Sequence, residues 1–180
     1  STKDIRLKFI KEKSDRIGIS FSGSQKLKKL PLSIAEIILG KIVKNGFRLT
    51  YFLAPFDYFH EIQENQRFLN KKNVEIWRGS FENYFEEFAK LQGYVGMDSA
   101  GGHMASMFDI PAMIFFGTQK SDYCKPVSMT NLFIVETEIE LFCRPCDGVN
   151  CVNPQVQKCL YDISKREIEK KCDEFIQAVS

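Results

Sequence analysis

Short apolar runs along the chain alternate with stretches in which apolar residues recur every three or four positions. Compact apolar runs are typical of buried strands, and the spaced pattern is typical of helices that bury one face. The runs predict strands at 17–21, 48–53, 74–77, 112–116 and 132–135, with another that ends at Met97. The spaced stretches predict helices at 31–45, 57–69, 80–91, 103–108 and 164–179. Because strands alternate with helices, we expect an α/β fold, a Rossmann-like parallel sheet with helices on both faces.

The same pattern organises residues 1–180 as a single domain. We expect a lead-in helix or linker at 1–15, a Cys-rich loop at 143–160 and a C-terminal helix at 164–179. Ser164 is the expected N-cap of that last helix, with Glu167 in the capping-box position. The sequence contains no internal repeat and no low-complexity segment.

The stretch 93–117 places glycines at a junction between a loop and a helix. The strand that ends at Met97 is followed by the turn Asp98-Ser99-Ala100-Gly101-Gly102, and a helix begins at His103. A helix start leaves backbone N–H groups unpaired at the positive end of the helix dipole, so it suits a phosphate or another anion. The alternative is that the glycines only form a turn and that Asp98 or Ser99 only caps the helix.

A second polar loop follows the first predicted strand. It contains Ser22-Gly23-Ser24 and three lysines, Lys26, Lys28 and Lys29. In a doubly wound sheet the carboxyl ends of the strands share one edge, so this loop and the loop at Asp98 to Gly102 are expected to converge on one anion. His103 has two interpretations that the sequence does not separate: donation to a phosphoryl oxygen, or packing beneath the loop.

Composition describes an ordinary globular protein of 180 residues, 44% hydrophobic and 27% charged, long enough for one core. The net charge of +2 does not mark a nucleic-acid binder. The first 29 residues, however, carry nine basic and three acidic side chains, a local charge of +6. That excess would attract an anionic ligand or an anionic membrane surface, although charge runs are commonly solvated faces.

The sequence lacks an apolar run of about 18 residues and the apolar segment of a signal peptide, so we expect a cytoplasmic protein. In that setting the six cysteines are expected to be thiols or metal ligands before they are disulfides. Four of them, Cys143, Cys146, Cys151 and Cys159, are expected to lie close together as a structural cluster. A tetrathiolate zinc site is one interpretation, and buried reduced thiols are the one we favour.

Three motifs in order carry a family resemblance. The first is Ile17-Gly-Ile-Ser-Phe-Ser-Gly-Ser with Lys28-Lys-Leu-Pro-Leu, and the second is Asp98-Ser-x-x-x-His-Met-Ala-Ser followed by Ile110-Pro111 and Phe116-Gly117-Thr118. The third is Cys143-Arg-Pro-Cys146 with Cys151 and Cys159-Leu160. Together they resemble the C-terminal half of bacterial glycosyltransferase family 9, the ADP-heptose:lipopolysaccharide heptosyltransferases, over nearly the whole chain.

The resemblance implies the nucleotide-sugar-binding half of a two-domain GT-B enzyme. Lys28 would then contact the donor diphosphate, Ser22, Gly23 and Ser24 would line its pocket, and Asp98 would bond the donor sugar or orient the loop. Donors to the phosphates would come from Ser99, Ala100, Gly101, Gly102 and His103. Two positions depart from the family pattern, since Ala100 replaces a glycine and Leu30 a tryptophan. The acid that members carry after the second strand has two candidate counterparts, Asp57 and Glu61.

The implied activity is an inverting, metal-independent sugar transfer in the synthesis of lipopolysaccharide or a related surface glycan. The donor would be ADP-heptose or a similar nucleotide sugar, no cofactor would be required, and nucleic acid is not expected as a partner. The glycolipid acceptor and the catalytic base would belong to an N-terminal domain that this chain lacks, so the chain alone would bind donor without turning it over. Peripheral contact with the cytoplasmic face of the inner membrane is also implied.

Three alternatives stay open on the sequence. The first is a non-catalytic nucleotide-binding or regulatory domain. The second is half of a sugar-nucleotide epimerase, which can share the two-domain architecture. The third is a thiolate-metal module that recruits a partner, and it depends on the spacing from Cys143 to Cys159.

Overall fold

The structure, a computed structural model, describes residues 15–53, 73–127 and 129–180, and for residues 81 and 82 the backbone only. The expected lead-in segment up to residue 14 and the predicted helix 57–69 lie outside the described residues, as do the candidates Asp57 and Glu61.

Within the described residues, six parallel strands form one sheet. They are β1 (Arg16–Ser20), β2 (Arg48–Phe52), β3 (Val74–Trp77), β4 (Gly93–Met97), β5 (Ala112–Phe116) and β6 (Leu132–Glu136). Their order in the sheet is β3-β2-β1-β4-β5-β6, and every neighbouring pair is parallel. The strand prediction is confirmed, since each predicted strand is found with its ends shifted by one residue at most.

The helices described by the structure are α1 (Leu32–Lys44), α2 (Phe81–Ala89), α3 (Ala100–Met107), α4 (Ser121–Cys124), α5 (Lys158–Tyr161) and α6 (Lys165–Val179). The predicted cap of the last helix is confirmed, since Ser164 accepts from the amide of Glu167, and Ser80 caps α2 in the same way by accepting from the amide of Asn83. The prediction that α3 begins at His103 was wrong by three residues. We did not predict α4 and α5, because four residues are too few to show a helical period.

Helices cover both faces of the sheet, as the α/β prediction required. On one face α1 and α6 pack on the sheet through buried side chains such as Ile38 and Phe175. On the other, α2 and α3 contribute Phe88 and Met104 to a second apolar cluster. β4 and β5 are buried along their whole length, which explains their nearly continuous apolar sequences.

The strand order reverses between β1 and β4. Chain connections therefore leave these two neighbouring strands toward opposite sides, an arrangement that in open α/β sheets forms a crevice at the carboxyl ends of the two strands. In open α/β sheets this switch point is where ligands bind. Both polar loops singled out in the sequence follow these two strands.

Candidate functional site

The loops after β1 and β4 meet across the switch point. Ser20 of β1 is in register with Gly96 of β4, so the residues that follow these strands are brought side by side. Lys28 Nζ lies 2.8 Å from Asp98 Oδ2, and the two side chains are 18% and 8% exposed. The predicted convergence of the two loops is therefore confirmed, with a largely buried ion pair at its centre.

The loop at residues 22–29, which we call the lysine loop, is closed on itself by backbone hydrogen bonds. Ser22 and Lys29 form an antiparallel bridge at its base. The Gly23 amide donates to the Lys28 carbonyl over 2.6 Å, and the Lys28 amide donates to the Gln25 carbonyl over 2.9 Å. This bonding holds the backbone of Lys28 in place, and its side chain reaches Asp98.

The start of α3 faces the same crevice. Ser99 is its N-cap in extended conformation and makes no side-chain capping bond. Ala100, Gly101 and Gly102 form the first helical turn, which corrects the expectation that they belong to the turn before the helix. The Gly102 amide donates to the Ser99 carbonyl over 3.1 Å, and the N–H groups that precede it lie at the positive end of the helix dipole, where an anion is stabilised.

A buried tyrosine lies beneath the first turn of α3. Tyr94 has no exposed surface, and a Cβ built on Gly96 or Gly101 would overlap its hydroxyl group. Among the described residues its hydroxyl finds no partner with hydrogen-bond geometry, although the hydroxyls of Ser20 and Ser99 are its neighbours. Burial raises the pKa of Tyr94 well above its usual range. Packing from below therefore requires a glycine at position 101.

Cys124 is a site neighbour that the sequence did not reveal. It ends the four-residue helix α4, and burial together with the adjacent Asp98 carboxylate raises its pKa to about 11. The thiol is therefore protonated at neutral pH. Its place beside Asp98 depends on how the chain folds back after β5, and no local pattern encodes that contact.

The remaining predicted donor-site residues differ in exposure. Ser24, Ala100 and His103 are exposed, Ser22 and Gly23 are partly buried, and Gly102 is buried. Since His103 is exposed, it does not pack beneath the loop, which was one of its two interpretations.

The segment 143–160, predicted as a loop, contains α5 and brings its cysteines together. Cys143, Cys146, Cys151 and Cys159 line one small cavity, which confirms that they cluster. All six cysteines of the chain are free, and burial raises the pKa of Cys159 to about 11. Within the described residues, no three His, Cys, Asp or Glu side chains are grouped so that they could hold a metal ion.

Arg144 ties this segment to the carboxyl end of β5. Its guanidinium donates to the carbonyls of Phe116, Gly117 and Gln119, and it pairs with Glu136 at 2.5 Å. Burial acts to raise the pKa of Glu136, but hydrogen bonds from Ser121 and Arg144 outweigh it and leave that pKa below its ordinary value. The segment is therefore anchored by a buried arginine side chain that bonds three carbonyls and one carboxylate.

The fold of this chain is similar to that of several solved glycosyltransferases. No protein-family model matches the sequence, and neither does any curated protein. Among solved structures, the glycosyltransferase family 9 protein of Veillonella parvula DSM 2008 superposes with a TM-score of 0.70 at 13% identity, over 98% of this chain and 51% of its own. ADP-heptose LPS heptosyltransferase II of E. coli gives 0.69, also at 13% identity and with the same coverage.

The chain is similar in fold to half of a heptosyltransferase. A further match is TibC of enterotoxigenic E. coli H10407, an iron-containing, dodecameric heptosyltransferase solved with ADP-D-beta-D-heptose, at a TM-score of 0.65 and 10% identity over 92% of this chain and 46% of its own. The chain thus spans about half the length of the solved structures it matches. At sequence identities this low, the likeness confirms the predicted fold. It does not establish the activity. Among the described residues, no helix has the length and apolarity needed to cross a lipid bilayer.

Proposed function

We propose that this chain binds the nucleoside diphosphate of a nucleotide-sugar donor, as the donor half of a GT-B glycosyltransferase of the heptosyltransferase type. The observation that carries the proposal is the Lys28–Asp98 ion pair beside the N-terminus of α3, at the switch point of the sheet. The lysine and the start of the helix bring positive charge and N–H donors to one place. A diphosphate is a ligand that such a combination binds well.

Each group has a role in the proposed transfer. Lys28 binds the diphosphate, and Asp98 holds the lysine side chain in position until the donor arrives and then hydrogen-bonds the donor sugar. Amides of the first turn of α3 receive the phosphoryl oxygens. When the glycosidic bond breaks, negative charge grows on the departing nucleoside diphosphate, and these groups stabilise that charge without a metal ion.

The other half of the reaction belongs to a partner domain in this proposal. Inverting transfer needs a general base on the acceptor hydroxyl, and we assign that base and the glycolipid acceptor to a second domain facing the crevice. The sugar transfer would then serve synthesis of lipopolysaccharide or a related surface glycan. The likeness to half of each heptosyltransferase, with TibC solved together with ADP-D-beta-D-heptose, supports this division and favours an adenine nucleotide.

Amide chemical-shift mapping of the labelled chain tests the location of binding. Addition of ADP is expected to shift the signals of Gly23, Gly101 and Gly102 most, and adenosine, which lacks the diphosphate, is the matched control. Equal shifts with adenosine, or shifts confined to residues distant from these loops, would contradict the proposed site.

A further inference from the structure

The backbone on both sides of Lys28 is bonded by a single side chain from a distant part of the sequence. Gln157 Nε2 donates to the carbonyl of Leu27 over 3.1 Å and to the carbonyl of Lys29 over 2.9 Å. One amide NH₂ has two hydrogens, so these two bonds use its full donor capacity. The lysine between the two carbonyls is held from both sides.

The backbone of Gln157 adopts a conformation that glutamine rarely takes. Its φ of 57° and ψ of 30° lie in the left-handed region, just before α5. This region is unfavourable for every residue that carries a side chain. Gln157 also makes no side-chain bond to cap α5. Its amide is directed at the lysine loop instead.

Further bonds complete the hold on this stretch of backbone. The Leu27 amide donates to the Gly148 carbonyl over 2.9 Å, so the segment 143–160 contacts Leu27 at both its N–H and its C=O. The Lys28 amide and carbonyl are bonded within the loop, to Gln25 and Gly23. All four backbone polar groups of Leu27 and Lys28 are therefore satisfied before any ligand arrives.

We propose that Gln157 is a positioning residue for donor binding: it acts through Lys28 by holding the lysine loop in its binding-competent form. This role rests on the proposed function of Lys28. A lysine that is already ordered loses less conformational freedom when a diphosphate binds. The affinity for the diphosphate is therefore higher. The segment 143–160 thereby takes part in donor binding although its cysteines touch no donor group.

Gln157→Gly is the decisive variant, because glycine adopts the left-handed conformation without strain and the fold is preserved. We expect its affinity for ADP to fall about five- to tenfold, the effect of losing roughly 1 kcal/mol of hydrogen bonding. Gln155→Ala, an exposed glutamine in the same segment, is the control and should bind as the wild type does.

A double variant separates action through Lys28 from a general effect on stability. In a Lys28→Ala background, Gln157→Gly should cause no further loss of affinity, because the group it positions is gone. An additive loss in that background would overturn the inference, and so would wild-type affinity in Gln157→Gly alone.

Amide exchange without ligand gives an independent readout. If Gln157 braces the loop, the Gly23 and Lys28 amides exchange faster in Gln157→Gly than in the wild type, and amides of β4 do not change. Failure of the wild type to bind ADP would overturn the proposed function. In that case the exchange rates alone decide whether Gln157 holds the loop, and unchanged rates would refute it.

Discussion

At the scale of single residues, Gly101 shows how packing and function share one position. The Tyr94 ring fills the space below the first turn of α3. The Phe88 ring, whose centroid is 5.0 Å away, leaves Tyr94 no room to move aside. No side chain larger than hydrogen fits at Gly101 while Tyr94 remains. The backbone of Gly101 is thereby fixed in the first turn of α3, three residues after Asp98.

Gly101→Ala is predicted to destabilise the fold by about 1–3 kcal/mol, because the new methyl group overlaps a buried side chain. Gly102→Ala is the matched control in the same turn. Its Cβ would stand 3.2 Å from Ile114 Cδ1, a contact that a small shift relieves, and alanine is the better helix former. Urea unfolding of both variants measures the difference in their stability. Equal unfolding midpoints would contradict the prediction and show that Tyr94 moves to make room for the methyl group.

The sequence predicted several of these residues and could not predict others, for a physical reason. Lys28 and Asp98 follow apolar strands, so the α/β pattern alone places them at one edge of the sheet. Cys124 and Gln157 reach the site through contacts between residues far apart in the chain. Local periodicity contains no information about such contacts, and only the folded structure revealed them.

At the scale of elements, the segment 143–160 links two strand ends of the sheet. Arg144 bonds the turn after β5, while Gly148 and Gln157 bond the lysine loop after β1. Sequence predicted the cysteine cluster from its spacing but described the segment as a loop. The helix α5 within it is only four residues long, too short to recognise from apolar periodicity.

The four clustered cysteines are expected to be reduced thiols that pack as small apolar side chains. Protein purified without chelator should therefore contain far less than about one equivalent of zinc or iron, the amount a tetrathiolate site would hold. Elemental analysis measures this, with Cys146→Ser as the companion variant. One equivalent of metal in the wild type, lost together with thermal stability in Cys146→Ser, would contradict this expectation.

At the scale of the whole molecule, the strand order β3-β2-β1-β4-β5-β6 determines where the candidate site lies. Alternating strands and helices in the sequence predicted a parallel sheet with two covered faces, and that was confirmed. Which strands are neighbours depends on pairing between distant segments, so the sequence left the order open. The reversal between β1 and β4 then explains why the two polar loops share one crevice.

On its own, this chain is predicted to bind donor without transferring sugar, because we assign the acceptor site and the general base to another domain. The assay is sugar transfer from ADP-heptose to a lipopolysaccharide-core acceptor, compared with a blank that measures donor hydrolysis. A complete heptosyltransferase serves as the positive control. Transfer by this chain above the hydrolysis blank would refute the division of labour between two domains.

Calorimetric titration with ADP tests the central claim most directly, namely that Lys28 and the start of α3 form a diphosphate site. The wild type should bind, and Lys28→Ala should lose about 1.5–3 kcal/mol of binding free energy, the worth of one charge-assisted contact. Lys26→Ala removes an exposed charge from the same loop and should change the affinity less than about twofold, since exposed charges contribute little. A wild type that binds no ADP, or a Lys28→Ala variant that binds as tightly as the wild type, would contradict the account.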